Sequence, residues 1–255
     1  MKVVFMGTPQ FAVPTLEALY SKGYDIELVI TQQDKPKGRG KKVLFTPIKE
    51  KAVELGLEVF QPISINSPES IEKISSINPD FIVVVAYGQI LKKPVLEIPK
   101  YGCYNVHASL LPKYRGAAPI NWAIINGEKE TGITIMEMEE GLDTGDIVLY
   151  KPIPIEKDDD SITIHDKLSI LGGRLIVDAL DGVASGRLIK TPQDHSRSSY
   201  ASMLRKDMGR INWKTSSIDI INLIRGLKPW PSAYTDYNGE TMKIHKASLT
   251  DEMKV

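Results

Sequence analysis

The stretch Asp80-Phe81-Ile82-Val83-Val84-Val85-Ala86 decides the fold class. It is short, rich in β-branched residues and lacks polar alternation, so it reads as a strand covered on both faces. Such a strand belongs near the centre of a parallel sheet, because a sheet with one wet face would need a polar residue at every second position. Toward the N-terminus, Val3 to Met6 is another apolar run closed by Gly7-Thr8-Pro9. After it, Phe11, Val13, Leu16 and Leu19 recur at helical spacing until Gly23. Asp25 to Thr31 reads as a strand, Ile48 to Leu55 as a helix stopped at Gly56, and Glu69 to Ile77 as a further helix. This alternation predicts an α/β fold with an open, doubly wound, mostly parallel sheet.

Toward the C-terminus, Gly132 to Met138 and Ile147 to Ile155 are β-runs flanking the turn Gly141-Leu142-Asp143-Thr144-Gly145-Asp146. Ser161 to Leu180 has the spacing of an amphipathic helix and completes a first domain over residues 1–188. The polar run from Thr191 to Ser199 reads as part of a linker over 189–204. Residues 205–255, with a helix from Ser216 to Leu227, form a second piece close to the ~40-residue lower limit of small domains.

A chain of 255 residues with 42% hydrophobic residues can bury a sizeable core. Its 32 basic residues balance 32 acidic ones, so any attraction to nucleic acid has to be local. The apolar run at Met1 to Gly7 is too short for a signal peptide, and no later run reaches the ~18 residues of a membrane span. A cytoplasmic protein is expected, with no membrane partner. The single cysteine, Cys103, excludes an intrachain disulfide framework and suits core filling. The first strand is followed by Gly-Thr-Pro-Gln-Phe instead of G-x-G-x-x-G, and the second ends in Thr31-Gln32-Gln33-Asp34, which argues against a nicotinamide cofactor. Gly127 to Gly132 has the glycine spacing of a phosphate loop, but Ile133 stands where its lysine is required. His107, His165, His195 and His245 have no ligand-spaced carboxylate or cysteine partners, so no metal is expected.

In Tyr101-Gly-Cys-Tyr-Asn105-Val-His107-Ala-Ser109-Leu110-Leu111-Pro112, alternation puts Asn105 and His107 on one face of a strand. The carboxyl end of such a strand opens on the crevice where α/β sheets bind ligands. Taken alone, that pair more often satisfies loop backbone groups, and Asp143 alone is more often an ordinary turn former.

Four separated segments change that weighting: Asn105-Val-His107 with Ser109 to Pro112, Tyr114-Arg-Gly-Ala-Ala-Pro119, Thr131-Gly-Ile-Thr134 and Asp143-Thr-Gly-Asp146. Together they resemble the 10-formyltetrahydrofolate-dependent formyltransferases. Phe5 to Pro9, Asp34 to Lys42 and Leu227-Lys-Pro-Trp-Pro231 resemble the members of that family that formylate methionyl-tRNA. The resemblance implies a Rossmann-like formyltransferase fold, 10-formyltetrahydrofolate as co-substrate and initiator methionyl-tRNA as acceptor; separately, a monomer is expected. It implies that Asn105 and His107 stabilise the oxyanion formed when an amine attacks the formyl carbon, and that Asp143 orients His107 and relays protons. One fixed donor at such an oxyanion is worth about 3 to 4 kcal/mol. Ser109, Leu110, Leu111 and Pro112 resemble the folate-binding loop, and Tyr87, Gly88 and Ile90 are expected to line the rest of that pocket.

Lys35, Lys37, Arg39, Lys41 and Lys42, punctuated by Pro36, Gly38 and Gly40, make a cationic loop after the second strand. A solvated surface is the commoner meaning of such a run, but the resemblance implies contact with the tRNA acceptor arm. The family ends in a larger oligonucleotide-binding β-barrel, so residues 205–255 are expected to form an incomplete tRNA-binding barrel. Two alternatives stand beside this: an N-formyltransferase acting on an amino sugar nucleotide, and an inactive tRNA-binding remnant. A hydrolase triad of Ser109, His107 and Asp143 is disfavoured, since no G-x-S-x-G elbow exists and Ser109 follows its supposed base on one strand.

Overall fold

The computed structural model describes residues 1–37 and 42–250. Strand β1 (Lys2–Gly7) leads through a short 3-10 turn, Gln10–Ala12, into helix α1 (Val13–Lys22), then β2 (Asp25–Ile30). Next come β3 (Lys35–Lys37), β4 (Lys42–Leu44), α2 (Pro47–Glu54), β5 (Val59–Phe60), α3 (Pro68–Ile77), β6 (Phe81–Val85), α4 (Lys93–Leu96) and β7 (Cys103–His107). The chain continues through β8 (Arg115–Gly116), α5 (Pro119–Ile125), β9 (Glu130–Glu137), β10 (Ile147–Pro154) and α6 (Ser161–Ala184). It closes with β11 (Tyr200–Ala201), α7 (Ser217–Gly226), β12 (Ala233–Tyr237) and β13 (Glu240–Ile244).

Seven strands form one sheet in the order β10-β9-β7-β6-β1-β2-β5. Pairing is parallel from β7 to β5, whereas β9 runs against both β7 and β10. The expected open, mostly parallel sheet is therefore present, and β6 is fully buried near its middle. Its residues separate the two cores: Phe81, Val83 and Val85 face α1, α2 and α6, while Ile82 and Val84 face α3 and α4.

Local chemistry sets the helix ends. Pro47 and Pro68 open α2 and α3, where a missing N–H costs nothing, and the hydroxyls of Thr46 and Ser67 accept from the first-turn N–H groups of Lys49 and Ser70. Gly23 ends α1 at φ 85°, a left-handed conformation that a Cβ would disfavour. Asp160 caps α6 by accepting from the N–H groups of Ile162 and Thr163, and Thr163 closes the reciprocal bond to the Asp160 N–H.

The cationic segment departs from the expected loop. Lys35–Lys37 and Lys42–Leu44 pair as an antiparallel hairpin. Arg39 and Lys41 lie outside the described residues, and Lys35, Lys37 and Lys42 are described by their backbone alone. The run read as a linker also carries structure: Thr191 bridges to Ile147, and β11 pairs with β8. Local composition could not reveal this, because both pairings are made with distant chain. The last segment forms the two-stranded antiparallel sheet of β12 and β13 around a small cluster of Ile211, Ile224 and Ala233.

Candidate active site

Strand β7 sorts its side chains by alternation. Tyr104 and Val106 enter the core under α6, and Asn105 and His107 take the opposite face with Cys103. The loop joining β9 to β10 brings Asp143 to that face. Its carboxylate spans the pair: Oδ1 lies 3.5 Å from Asn105 Nδ2, and Oδ2 lies 3.6 Å from His107 Nδ1. The Gly116 backbone N–H donates to Oδ2 at 2.7 Å, fixing the carboxyl from behind.

The histidine is held just as specifically. His107 is 5% exposed, and its Nε2 sits 2.9 Å from the Tyr114 carbonyl oxygen. A carbonyl only accepts, so Nε2 carries a hydrogen and donates it. Nδ1 is thus the ring position left to exchange a proton with the carboxylate or with a bound molecule. The arrangement offers an amide donor, an imidazole nitrogen and a carboxylate converging on one point. Such a set suits stabilisation of a developing oxyanion combined with proton transfer.

Residues 1–180 match the model of the family described as formyl transferase, and residues 203–254 match that of the formyl transferase C-terminal domain. The chain belongs to the formyl transferase family. It is 55% identical over 252 residues to the methionyl-tRNA formyltransferase of Caldanaerobacter subterraneus subsp. tengcongensis, covering 98% of this chain and 82% of the relative. A methionyl-tRNA formyltransferase of Clostridium novyi is 55% identical over 253 residues, covering 99% and 82%. Among solved structures, an N-formyltransferase from Helicobacter canadensis in complex with folinic acid and dTDP-3-aminofucose superposes with a TM-score of 0.75. It is 25% identical and covers 100% of this chain and 90% of that one.

For a formyltransferase that uses 10-formyltetrahydrofolate, the expected pocket residues fall into two groups. The backbone at Ser109 to Leu111 is largely committed. Thr134 Oγ1 accepts from the Leu111 N–H at 3.1 Å and donates to the Ser109 carbonyl at 2.7 Å, and the Lys113 N–H occupies the Leu110 carbonyl. Ser109 Oγ donates to the Lys113 carbonyl at 2.6 Å, leaving Leu110 and Pro112 partly exposed at the turn. By contrast, among the described residues the backbone N–H groups of Gly88 to Leu91 make no hydrogen bond, and the Ile90 side chain is 79% exposed. Open donors beside an apolar side chain are the kind of lining that a flat, hydrogen-bonding heterocycle requires.

Tyr87 reaches the two sides of the sheet differently. Its side chain is buried in the core facing α3 and α4, where burial pushes the phenol up to about 12. What Tyr87 offers the crevice side is its carbonyl, which accepts from Thr8 Oγ1 at 2.8 Å and Gln32 Nε2 at 3.3 Å.

Several residues of the site escaped the sequence reading. Tyr114, Gly116 and Thr134 lie inside segments that carry the family resemblance, but their contributions are a carbonyl, an N–H and a bracing hydroxyl whose roles appear only in the folded chain. Among the described residues, no group of His, Cys, Asp and Glu could hold a metal ion.

Proposed function

We propose that this formyltransferase moves the formyl group of 10-formyltetrahydrofolate to the α-amino group of initiator methionyl-tRNA, using Asn105, His107 and Asp143. The observation that carries the assignment of roles is the placement of Asn105 Nδ2 and His107 Nδ1 within 3.6 Å of the two Asp143 oxygens. The bound co-substrate supplies an N-formyl carbonyl. Asn105 Nδ2 and a protonated His107 Nδ1 would donate to its oxygen as negative charge develops there. Asp143 would accept the proton that the acceptor ammonium must shed. That proton would pass, through His107 Nδ1 or one water, to the nitrogen that departs. The bond from Nε2 to the Tyr114 carbonyl keeps the ring from turning throughout.

The open N–H groups from Gly88 to Leu91, the Ile90 side chain and the turn from Ser109 to Pro112 would hold the co-substrate. Lys35, Lys37, Arg39, Lys41 and Lys42, together with residues 205–255, would meet tRNA phosphates, with the enzyme acting as a monomer in the cytoplasm. The high identity to two methionyl-tRNA formyltransferases supports this acceptor over an amino sugar nucleotide.

The test is transfer of labelled formyl by the 255-residue chain to methionyl-tRNA, with a dTDP-amino sugar as competing acceptor. Methionyl-tRNA is expected to be formylated, and Asn105→Ala to lose about 10²- to 10³-fold in rate. Labelling of the sugar alone, or an Asn105→Ala rate equal to the parent, would overturn the proposal.

A further inference from the structure

We propose that Gln193 is a positioning residue for this reaction, acting through Asp143. The inference rests on the catalytic role assigned to Asp143 above.

Asp143 has φ 53°, in the left-handed region that aspartate enters more readily than most side chains, and its neighbours fix where its carboxylate and carbonyl point. Gly116 holds the carboxylate, and Gln193 holds the backbone. Both Gln193 amide hydrogens go to the loop, one to the Asp143 carbonyl at 2.9 Å and one to the Gly145 carbonyl at 2.7 Å. The amide oxygen accepts from Arg115 Nε at 3.2 Å and Nη2 at 2.6 Å. Gln193 is 5% exposed and Arg115 is 2% exposed, so water cannot readily replace these bonds. Without the amide, two loop carbonyls and a buried guanidinium lose partners at once.

The same run of chain braces the other partners of the site. Ser199 accepts from the Tyr114 N–H through Oγ at 2.9 Å and from the Arg115 N–H through its carbonyl at 2.8 Å. The Tyr114 carbonyl that orients His107 and the Gly116 N–H that orients Asp143 therefore hang on residues 193–201. This run is also the covalent route from the catalytic core to the part of the chain matched by the C-terminal family model.

Gln193→Leu keeps the bulk and removes every polar bond. At saturating substrates its kcat is expected to fall about 10²-fold, the scale of an ångström-sized misplacement, with KM for the formyl donor within about threefold. In an Asp143→Asn background the same change is expected to slow single-turnover transfer less than about threefold, because the group it positions is already disabled. In the ligand-free protein, the His107 Nδ1 resonance at fixed pH is expected to move on Gln193→Leu and to stay put when that change is added to Asp143→Asn. If Gln193→Leu does not fold, Gln193→Glu serves: it preserves size and the acceptor for Arg115, but opposes both loop carbonyls with oxygen. An undiminished kcat, or an equal loss in the Asp143→Asn background, would overturn the positioning role. An Asp143→Asn enzyme at full rate would instead remove the underlying assignment of Asp143.

Discussion

The loop around Asp143 and the hairpin of β12 and β13 are both connections between antiparallel strands, yet they are held in opposite ways. Asp143 is fixed by bonds to its carboxylate and its carbonyl, with Gly145 wedged against the Glu137 carbonyl. The hairpin leaves Glu240 to Lys243 exposed and rests on a cluster of three buried residues. The piece that bears it is tied to the core through α6 and α5. Lys228 Nζ reaches Asp160 Oδ2 at 2.9 Å, Ser161 Oγ donates to the Lys228 carbonyl, and Asn121 Nδ2 donates to the Gly226 carbonyl at 2.7 Å. One region therefore spends its interactions on geometry and the other on attachment. Substitutions in the first should change rate, and substitutions at the anchoring contacts of the second should change stability.

Gly145→Ala is the largest perturbation in that contrast. A Cβ there would stand 1.9 Å from the Glu137 carbonyl oxygen, a backbone atom that cannot swing aside. The loop must shift, and kcat is expected to fall about 10²-fold, with the melting temperature lowered less than by changes in the core. Unchanged kcat would break the comparison from the catalytic side.

Asp160→Ala tests the attachment. It removes the cap of α6 and the partner of Lys228, and a lost cap alone costs about 1 kcal/mol. Melting temperature should drop by a few degrees while kcat at lower temperature holds. Burial works against the Asp160 charge, but the hydrogen bond from Lys228 and the N–H of Thr163 outweigh it and hold the carboxyl below its ordinary range. A depressed folded pKa stabilises the fold above the unfolded value, about 3.9, and that stability is lost as pH falls through the folded value. Parent and variant stabilities should therefore converge in acid below about pH 4. A constant gap would show that the charge contributes nothing.

Met242→Thr, on the exposed face of the hairpin, is the smallest perturbation, expected to stay within about 0.5 kcal/mol of the parent in denaturant unfolding. A larger loss would show that the hairpin carries more than its exposed packing suggests, and would sharpen where the C-terminal piece is anchored.

The sequence discloses these regions unequally, and for physical reasons. Phe81 to Val85 was readable because burial on both faces removes polar alternation. Asn105 and His107 were readable as a pair because strand alternation is local, and Tyr104 and Val106 do turn the other way. Asp143 was reachable only through the family resemblance, since its position depends on β9 returning antiparallel to β7. Gln193 sits in a run of Asp, Ser, His and Arg whose composition is that of a connector. Only its tertiary partners, Arg115 and the Asp143 loop, distinguish it. Pro36, Gly38 and Gly40 give the basic segment the composition of a loop, which hides the hairpin pairing of Lys35–Lys37 with Lys42–Leu44.

The proposed proton path requires His107 and Asp143 to act as one unit. Single-turnover formyl transfer by His107→Ala, Asp143→Asn and the double variant measures this directly. Large losses are expected in both single variants, with the double variant within about threefold of the slower one, because groups that act together are not lost twice. A double variant slowed by the product of the two single losses would mean that imidazole and carboxylate work independently, and the shared proton path would be wrong.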